Sequence, residues 1–189
     1  MKNILILHGS HGNPDRNWYR YLESKAKEKG YKVNIPDLGW IEKLDLNKTF
    51  NTLFEKGYIN SETIIIGHSS GSVVALNILQ HTPQSLVINK TILVAGFIDD
   101  DLNKELFKII PKLNYSKLFT DKWNWEKIKS GSKEFIFVYS DNDPYVPLKH
   151  AQVLYKNLGG KLVLVSGAKH FSTNTNPKFT EFPEILDFI

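Results

Sequence analysis

The sequence predicts an α/β fold in which a parallel sheet is covered on both faces by helices. Two observations carry this. Strand-like and helix-like segments alternate along the chain, the pattern that right-handed crossovers between parallel strands require. The run Thr63-Ile64-Ile65-Ile66 is β-branched and largely apolar, as a strand buried on both faces must be.

Residues 3–7 read as the first core strand, because the apolar stretch at the N-terminus is too short for a usual signal peptide and flows into a loop. Trp18, Leu22 and Ala26 give segment 18–29 one apolar helical face, Gly30 stops it, and 31–36 reads as the next strand. Asp45 is placed to cap a helix carrying Leu46, Phe50, Leu53 and Phe54, which ends at Gly57. A strand at 62–66 is followed by a helix at 71–81 that stops before Pro83. Segments 91–95 and 134–139 are further strands, 147–158 a helix, 162–165 the last strand and 182–189 a final helix. Residues 98–130, with Phe107, Trp123 and Trp125 among many lysines, exceed an ordinary connection. They read either as a cap or lid over the site or as the usual crossover helix with a surface excursion.

At 189 residues, 41% hydrophobic and 12% aromatic, the chain suits one packed domain over 1–189. No run of 18 or more apolar residues occurs, so no transmembrane helix and no membrane partner are expected. Without cysteine there are no disulfides, thiol nucleophiles or thiolate metal sites, which is compatible with the expected cytoplasmic location. The formal charge is +4, yet only Arg16 and Arg20 of the 24 cationic side chains are arginine, and the lysines are dispersed among acids. A nucleic-acid binder would cluster its basic residues and favour arginine, so no nucleic-acid partner is expected. No HExxH or clustered carboxylate–histidine spacing occurs, and neither metal nor cofactor is expected.

The pentapeptide Gly67-His68-Ser69-Ser70-Gly71 lies between the buried strand and a helical apolar run, the context of a nucleophile elbow. Ser69 would stand exposed at the end of the sheet, beside the positive end of a helix dipole. Such a hydroxyl needs a base to accept its proton, and that base works better with a carboxylate behind it. His170, directly after the last strand, is the histidine candidate. In Ser140-Asp141-Asn142-Asp143-Pro144 the acid candidate is Asp143, with Asp141 its local rival. The order serine, acid, histidine is that of an α/β-hydrolase. The oxyanion needs aimed N–H groups, expected from Ser70 and from the loop His8-Gly9-Ser10-His11-Gly12, with Ser10 favoured. Gly9, His11, Trp18, Phe97, Trp123 and Trp125 are the candidates for contact with substrate. His8 and His68 are read as organisers of hydrogen bonds rather than proton carriers.

Together His8-Gly9, the pentapeptide 67–71, Asp143-Pro144-Tyr145-Val146-Pro147 and His170-Phe171 resemble the small serine hydrolase family of retinoblastoma-binding protein 9 and its bacterial relatives. The resemblance spans nearly the whole chain. It implies Ser69 as nucleophile, Asp143 rather than Asp141 as acid, and His170 as base. It also implies a three-layer, doubly wound minimal α/β-hydrolase sheet of about six strands in the order 2-1-3-4-5-6. The cysteine-containing peptide that serves retinoblastoma binding cannot exist here, so that partner is not expected. The expected activity is hydrolysis of a small ester, thioester or amide through an acyl-enzyme on Ser69. Two other readings remain: a non-catalytic protein-binding module on this scaffold, and a flavodoxin-like binder using 9–13 as a phosphate loop.

Overall fold

The structure is a computed structural model that describes residues 2–102, 118–119 and 122–189. The strands are β1 (Asn3–Leu7), β2 (Lys32–Asn34), β3 (Thr63–His68), β4 (Lys90–Val94), β5 (Phe135–Ser140) and β6 (Lys161–Val165). They form one six-stranded sheet, β2-β1-β3-β4-β5-β6, and every pairing is parallel. The helices are α1 (Tyr19–Glu28), α2 (Leu46–Glu55), α3 (Ser70–His81), α4 (Trp125–Ser130) and α5 (Lys149–Leu158).

Period-two alternation divides the strand residues between two cores. Leu5, Leu7, Ile65, Leu93, Phe137 and Tyr139 face one side, where α2, α3 and α5 supply Leu53, Val73, Leu76 and Leu154. Ile4, Ile6, Ile64, Ile66, Val94 and Val138 face the other, against Trp18, Tyr19, Leu22 and Phe171. Each such apolar side chain, when fully buried, contributes about 1.5–3 kcal/mol. Helix α3 lies in the first core with every residue from Ser70 to Gln80 buried, which explains its unbroken apolar sequence.

Helix α2 begins as its sequence predicts, the Asp45 side chain accepting from the Lys48 N–H at 3.0 Å. Three elements differ from expectation. Strand β2 is only three residues long and pairs with β1 alone at the sheet edge. Strand β3 runs two residues beyond 66, because Gly67 and His68 still pair with Leu93 and Val94. The C-terminal segment is a 3-10 helix, Pro183–Phe188, preceded by another at Pro177–Thr180. Its buried residues Phe182, Ile185 and Phe188 repeat every three, a spacing that a 3-10 helix keeps in one row and an α-helix would rotate away.

Within 98–130, helix α4 is capped by Asn124, whose side chain accepts from the Lys127 N–H. The Trp123 indole donates to the Ile98 carbonyl at 2.8 Å, and Asn77 donates to the Leu118 carbonyl at 3.2 Å. Phe107 and most of the cap-or-crossover question lie outside the described residues. Among the described residues, no helix is long and apolar enough to cross a membrane.

Candidate active site

The site is assembled at the carboxyl ends of the strands, where ligands of such sheets bind. Strand β3 passes into α3 through Ser69 alone, which takes φ 55° and ψ −125°. A side chain carries strain in that conformation, and here the surroundings enforce it. A Cβ on Gly71 would lie 2.1 Å from the Leu7 carbonyl oxygen, and one on Gly67 would lie 2.6 Å from the Ser72 Cα. The two glycines are thus required by close backbone approach. They press α3 against β1 and leave Ser69 to make the turn.

His170 reaches Ser69 from the loop after β6. Its Nε2 lies 2.9 Å from Ser69 Oγ and its Nδ1 lies 2.8 Å from Asp143 Oδ2. A carboxylate only accepts, so Nδ1 carries the proton and Nε2 is the acceptor that faces the serine hydroxyl. The other oxygen of Asp143 accepts from the N–H groups of Tyr145 and Val146 at 2.8 and 3.1 Å, which fixes the carboxylate plane. Asp141 is engaged elsewhere: it accepts from Ser166 Oγ and the Gly167 N–H at 2.7 and 2.8 Å. The Gly167 N–H, then Ser166, hold its carboxyl below the usual range. It therefore ties the β5 and β6 loops together.

The His170 loop is itself strained, with Lys169 at φ 53° and Phe171 at φ 50° on either side of the histidine. Three consecutive side chains before and within α1 hold it. The Trp18 indole donates to the Phe171 carbonyl at 3.0 Å, and Asn17 Oδ1 accepts from the Thr173 N–H and hydroxyl at 3.0 and 3.1 Å. Tyr19 acts through His68. His68 Nε2 lies 2.9 Å from the His170 carbonyl oxygen, which can only accept, so Nε2 carries the proton. His68 Nδ1 is then the acceptor for the Tyr19 hydroxyl at 2.7 Å, and that hydroxyl accepts from Asn17 Nδ2 at 3.3 Å. Burial, followed by the neighbouring His170, pushes the His68 pKa down to about 3. Burial likewise pushes the Tyr19 phenol up.

The loop after β1 closes the other side. His8 is fully buried, its Nδ1–H donating to the Gly9 carbonyl at 2.8 Å and its Nε2 accepting from the Leu38 N–H at 2.9 Å. The loop packs on the elbow so closely that a Cβ on Gly9 would lie 3.0 Å from the Ser69 Cβ. The Ser10 N–H, expected to face an oxyanion, donates instead to Ser70 Oγ at 2.7 Å. Considering only the backbone of Ser70 overlooks its hydroxyl, which is buried and within reach of that loop. The Ser70 N–H, first in α3, has no acceptor within the helix.

A cavity of about 370 Å³ opens onto Ser69 and His170. Gly9 and His11, two of the candidates for contact with substrate, line it with Ser10 and Gly12. Four of the expected contact residues do not. Trp18 and Phe97 are buried in the two cores, where layer position outweighs nearness in sequence to the loops. Trp123 and Trp125 pack on each other at 5.9 Å and against the first core. Their places are taken by Arg16, Asn17, Tyr19, His68, Tyr145, Ser172 and Asn174, so the described lining mixes polar side chains with tyrosine and histidine rings. Tyr145 belongs to the Asp-Pro-Tyr-Val-Pro motif and could have been proposed from it. The others carry no periodic signal. Among the described residues no three or more His, Cys, Asp or Glu side chains converge as metal ligands would.

The family model described as Serine hydrolase matches residues 4–189 of the chain. The serine hydrolase RBBP9 of Rattus norvegicus is 32% identical over 132 residues, which cover 68% of this chain and 60% of the rat protein. That match spans about three fifths of the relative's own length. The protein YdeN of Bacillus subtilis (strain 168) is 24% identical over 198 residues, covering 100% of this chain and 94% of that protein. Among solved structures, the ydeN gene product of B. subtilis has a TM-score of 0.84 at 21% identity, over 100% of this chain and 96% of that one. The α/β-hydrolase enzyme MGS-MChE2, from a sediment metagenome of the lagoon of Mar Chica in Morocco, has a TM-score of 0.70 at 20% identity, over 99% and 89%. At these identities the structural likeness speaks for the fold. The family model, matched over almost the full length, places the chain in the serine hydrolase family, and the fold is that of the α/β-hydrolases.

Proposed function

We propose that the protein is an esterase-like enzyme that cleaves a small carboxylic ester, thioester or amide through an acyl-enzyme on Ser69. The observation that carries this reading is the unbroken row from Ser69 Oγ through the His170 ring to Asp143. Ser69 Oγ attacks the substrate carbonyl carbon while its proton passes to His170 Nε2. Asp143 steadies the imidazolium that forms. Burial keeps His68, whose ring centre lies 5.3 Å from that of His170, neutral, so no second cation opposes the charge. The oxyanion is held by the Ser70 N–H, and by the Ser10 N–H once the Ser70 hydroxyl turns aside. Collapse breaks the bond to the leaving group, which takes the proton from Nε2. Water then attacks the acyl carbon, returns a proton through Nε2 to Ser69, and releases the acid.

The test is labelling with a broad fluorophosphonate probe under native conditions. Wild type should be labelled at Ser69 and Ser69→Ala should not. Resistance of the folded wild type, or labelling that persists in Ser69→Ala, would overturn the assignment of the nucleophile.

A further inference from the structure

We infer that the substrate carries an anionic group, a carboxylate in its acyl or leaving portion, and that Arg16 is the residue that binds it. This rests on the reading of Ser69 as the acylated nucleophile. Arg16 lines the same cavity as Ser69 and His170. It is exposed, and no ion pair engages it among the described residues. The contrast with the chain's other arginine is direct: Arg20 is held by Asp15 at 2.8 Å and by Glu23 at 2.6 Å. The carboxylate next to Arg16 in sequence, Asp15, is therefore already engaged.

Among the described residues no Asp or Glu lines the cavity. The Asp143 carboxylate lies behind the His170 ring, with 1% of its side chain exposed. Asn17, Ser172 and Asn174, which share the lining with Arg16, are neutral and polar. The first turn of α3 adds its positive dipole end at Ser69. A guanidinium presents a planar fork of N–H donors that matches a carboxylate, and among the described residues of the lining it meets no acid. Ser69 and Arg16 line one cavity of about 370 Å³, room for a short diacid monoester whose ester meets the one and whose carboxylate meets the other.

Two matched substrate pairs test this. Mono(4-nitrophenyl) glutarate against 4-nitrophenyl pentanoate puts the carboxylate in the acyl part. 4-Acetoxybenzoate against phenyl acetate puts it in the leaving group. In wild type, kcat/KM should favour the carboxylate member of at least one pair about tenfold, the scale of one charge-assisted contact. Arg16→Gln should bring that ratio close to one, chiefly through KM, and added salt should do so in wild type. Ratios that Arg16→Gln leaves unchanged in both pairs overturn the inference, and so does a labelled enzyme that turns over none of the four esters. Fluorophosphonate labelling of both proteins separates the two claims. Loss of labelling in wild type refutes the hydrolytic reading itself, whereas labelling with unmoved ratios refutes only the role of Arg16.

Discussion

Replacing Tyr19 by Phe removes one oxygen and should lower turnover without changing substrate affinity. The Tyr19 hydroxyl donates to His68 Nδ1 at 2.7 Å and accepts from Asn17 Nδ2 at 3.3 Å. His68 is 3% exposed, so bulk water has little access to the ring that loses its donor. Two responses are open to the ring. It can keep its proton on Nε2 and leave Nδ1 bare, or move the proton to Nδ1 and leave the His170 carbonyl without its donor. Either leaves at least one buried polar group unsatisfied, at about 1–3 kcal/mol. For a chain of this size that lowers Tm by about 2–12 °C. The second response also loosens the loop that Lys169 and Phe171 hold at positive φ around His170. Each 1.4 kcal/mol lost from the aim of the imidazole is about tenfold in rate. We therefore expect kcat and kcat/KM for 4-nitrophenyl acetate to fall together about tenfold, with a parallel fall in fluorophosphonate labelling rate. A variant with lowered Tm but wild-type kcat would show that the Tyr19–His68 row stabilises the fold without positioning His170. One unchanged in both would refute the hydrogen-bond reasoning altogether.

Asp143→Asn should cost about 10³–10⁴ in kcat, because the amide no longer holds the His170 tautomer, whereas Asp141→Asn should stay within about threefold; a greater loss in the latter would reverse their roles. Gly71→Ala places a Cβ 2.1 Å from the Leu7 carbonyl oxygen and 2.6 Å from that of His8, both on backbone that cannot step aside. The cost should reach about 3 kcal/mol, with a Tm lower by about 6–12 °C and little labelling; wild-type behaviour in thermal unfolding and labelling would overturn the account of the elbow. Stability should fall on acidification through His68, whose folded pKa of about 3 lies below its unfolded value of 6.5. Between those values the unfolded chain binds the extra proton, so this one group removes about 2 kcal/mol from pH 7 to pH 5. Burial lowers the His150 pKa too, which adds with the same sign. Urea unfolding across that range checks the slope, and His68 ring resonances that titrate near pH 6 would contradict it.

Local pattern carried much of this molecule. Strand, elbow and helix around Ser69 were legible because each depends on neighbours along the chain: a β-branched run, two glycines and an apolar helical stretch. Asp143 and His170 could be named because each sits just after a strand and the chain order is that of the fold. Other features depend on which distant surfaces meet. Trp18 looked like a pocket wall, yet its indole reaches the carbonyl of Phe171, 153 residues away, and the ring is wholly buried. The choice between core and cavity for an aromatic residue is made by the layer it faces, and periodicity does not report that. Tyr19, His68 and His170 form one row across separations of 49 and 102 residues. A hydrogen bond depends on distance and direction to a partner, so only the packed chain could bring these groups into line. The same reason sends the Ser10 N–H to Ser70 Oγ and brings Arg16 into the cavity that Ser69 lines. The sequence by itself determined the fold class and the three side chains proposed for the chemistry. The tertiary structure decided what holds His170 in place and what lines the cavity, because both arise from contacts between loops far apart in the chain.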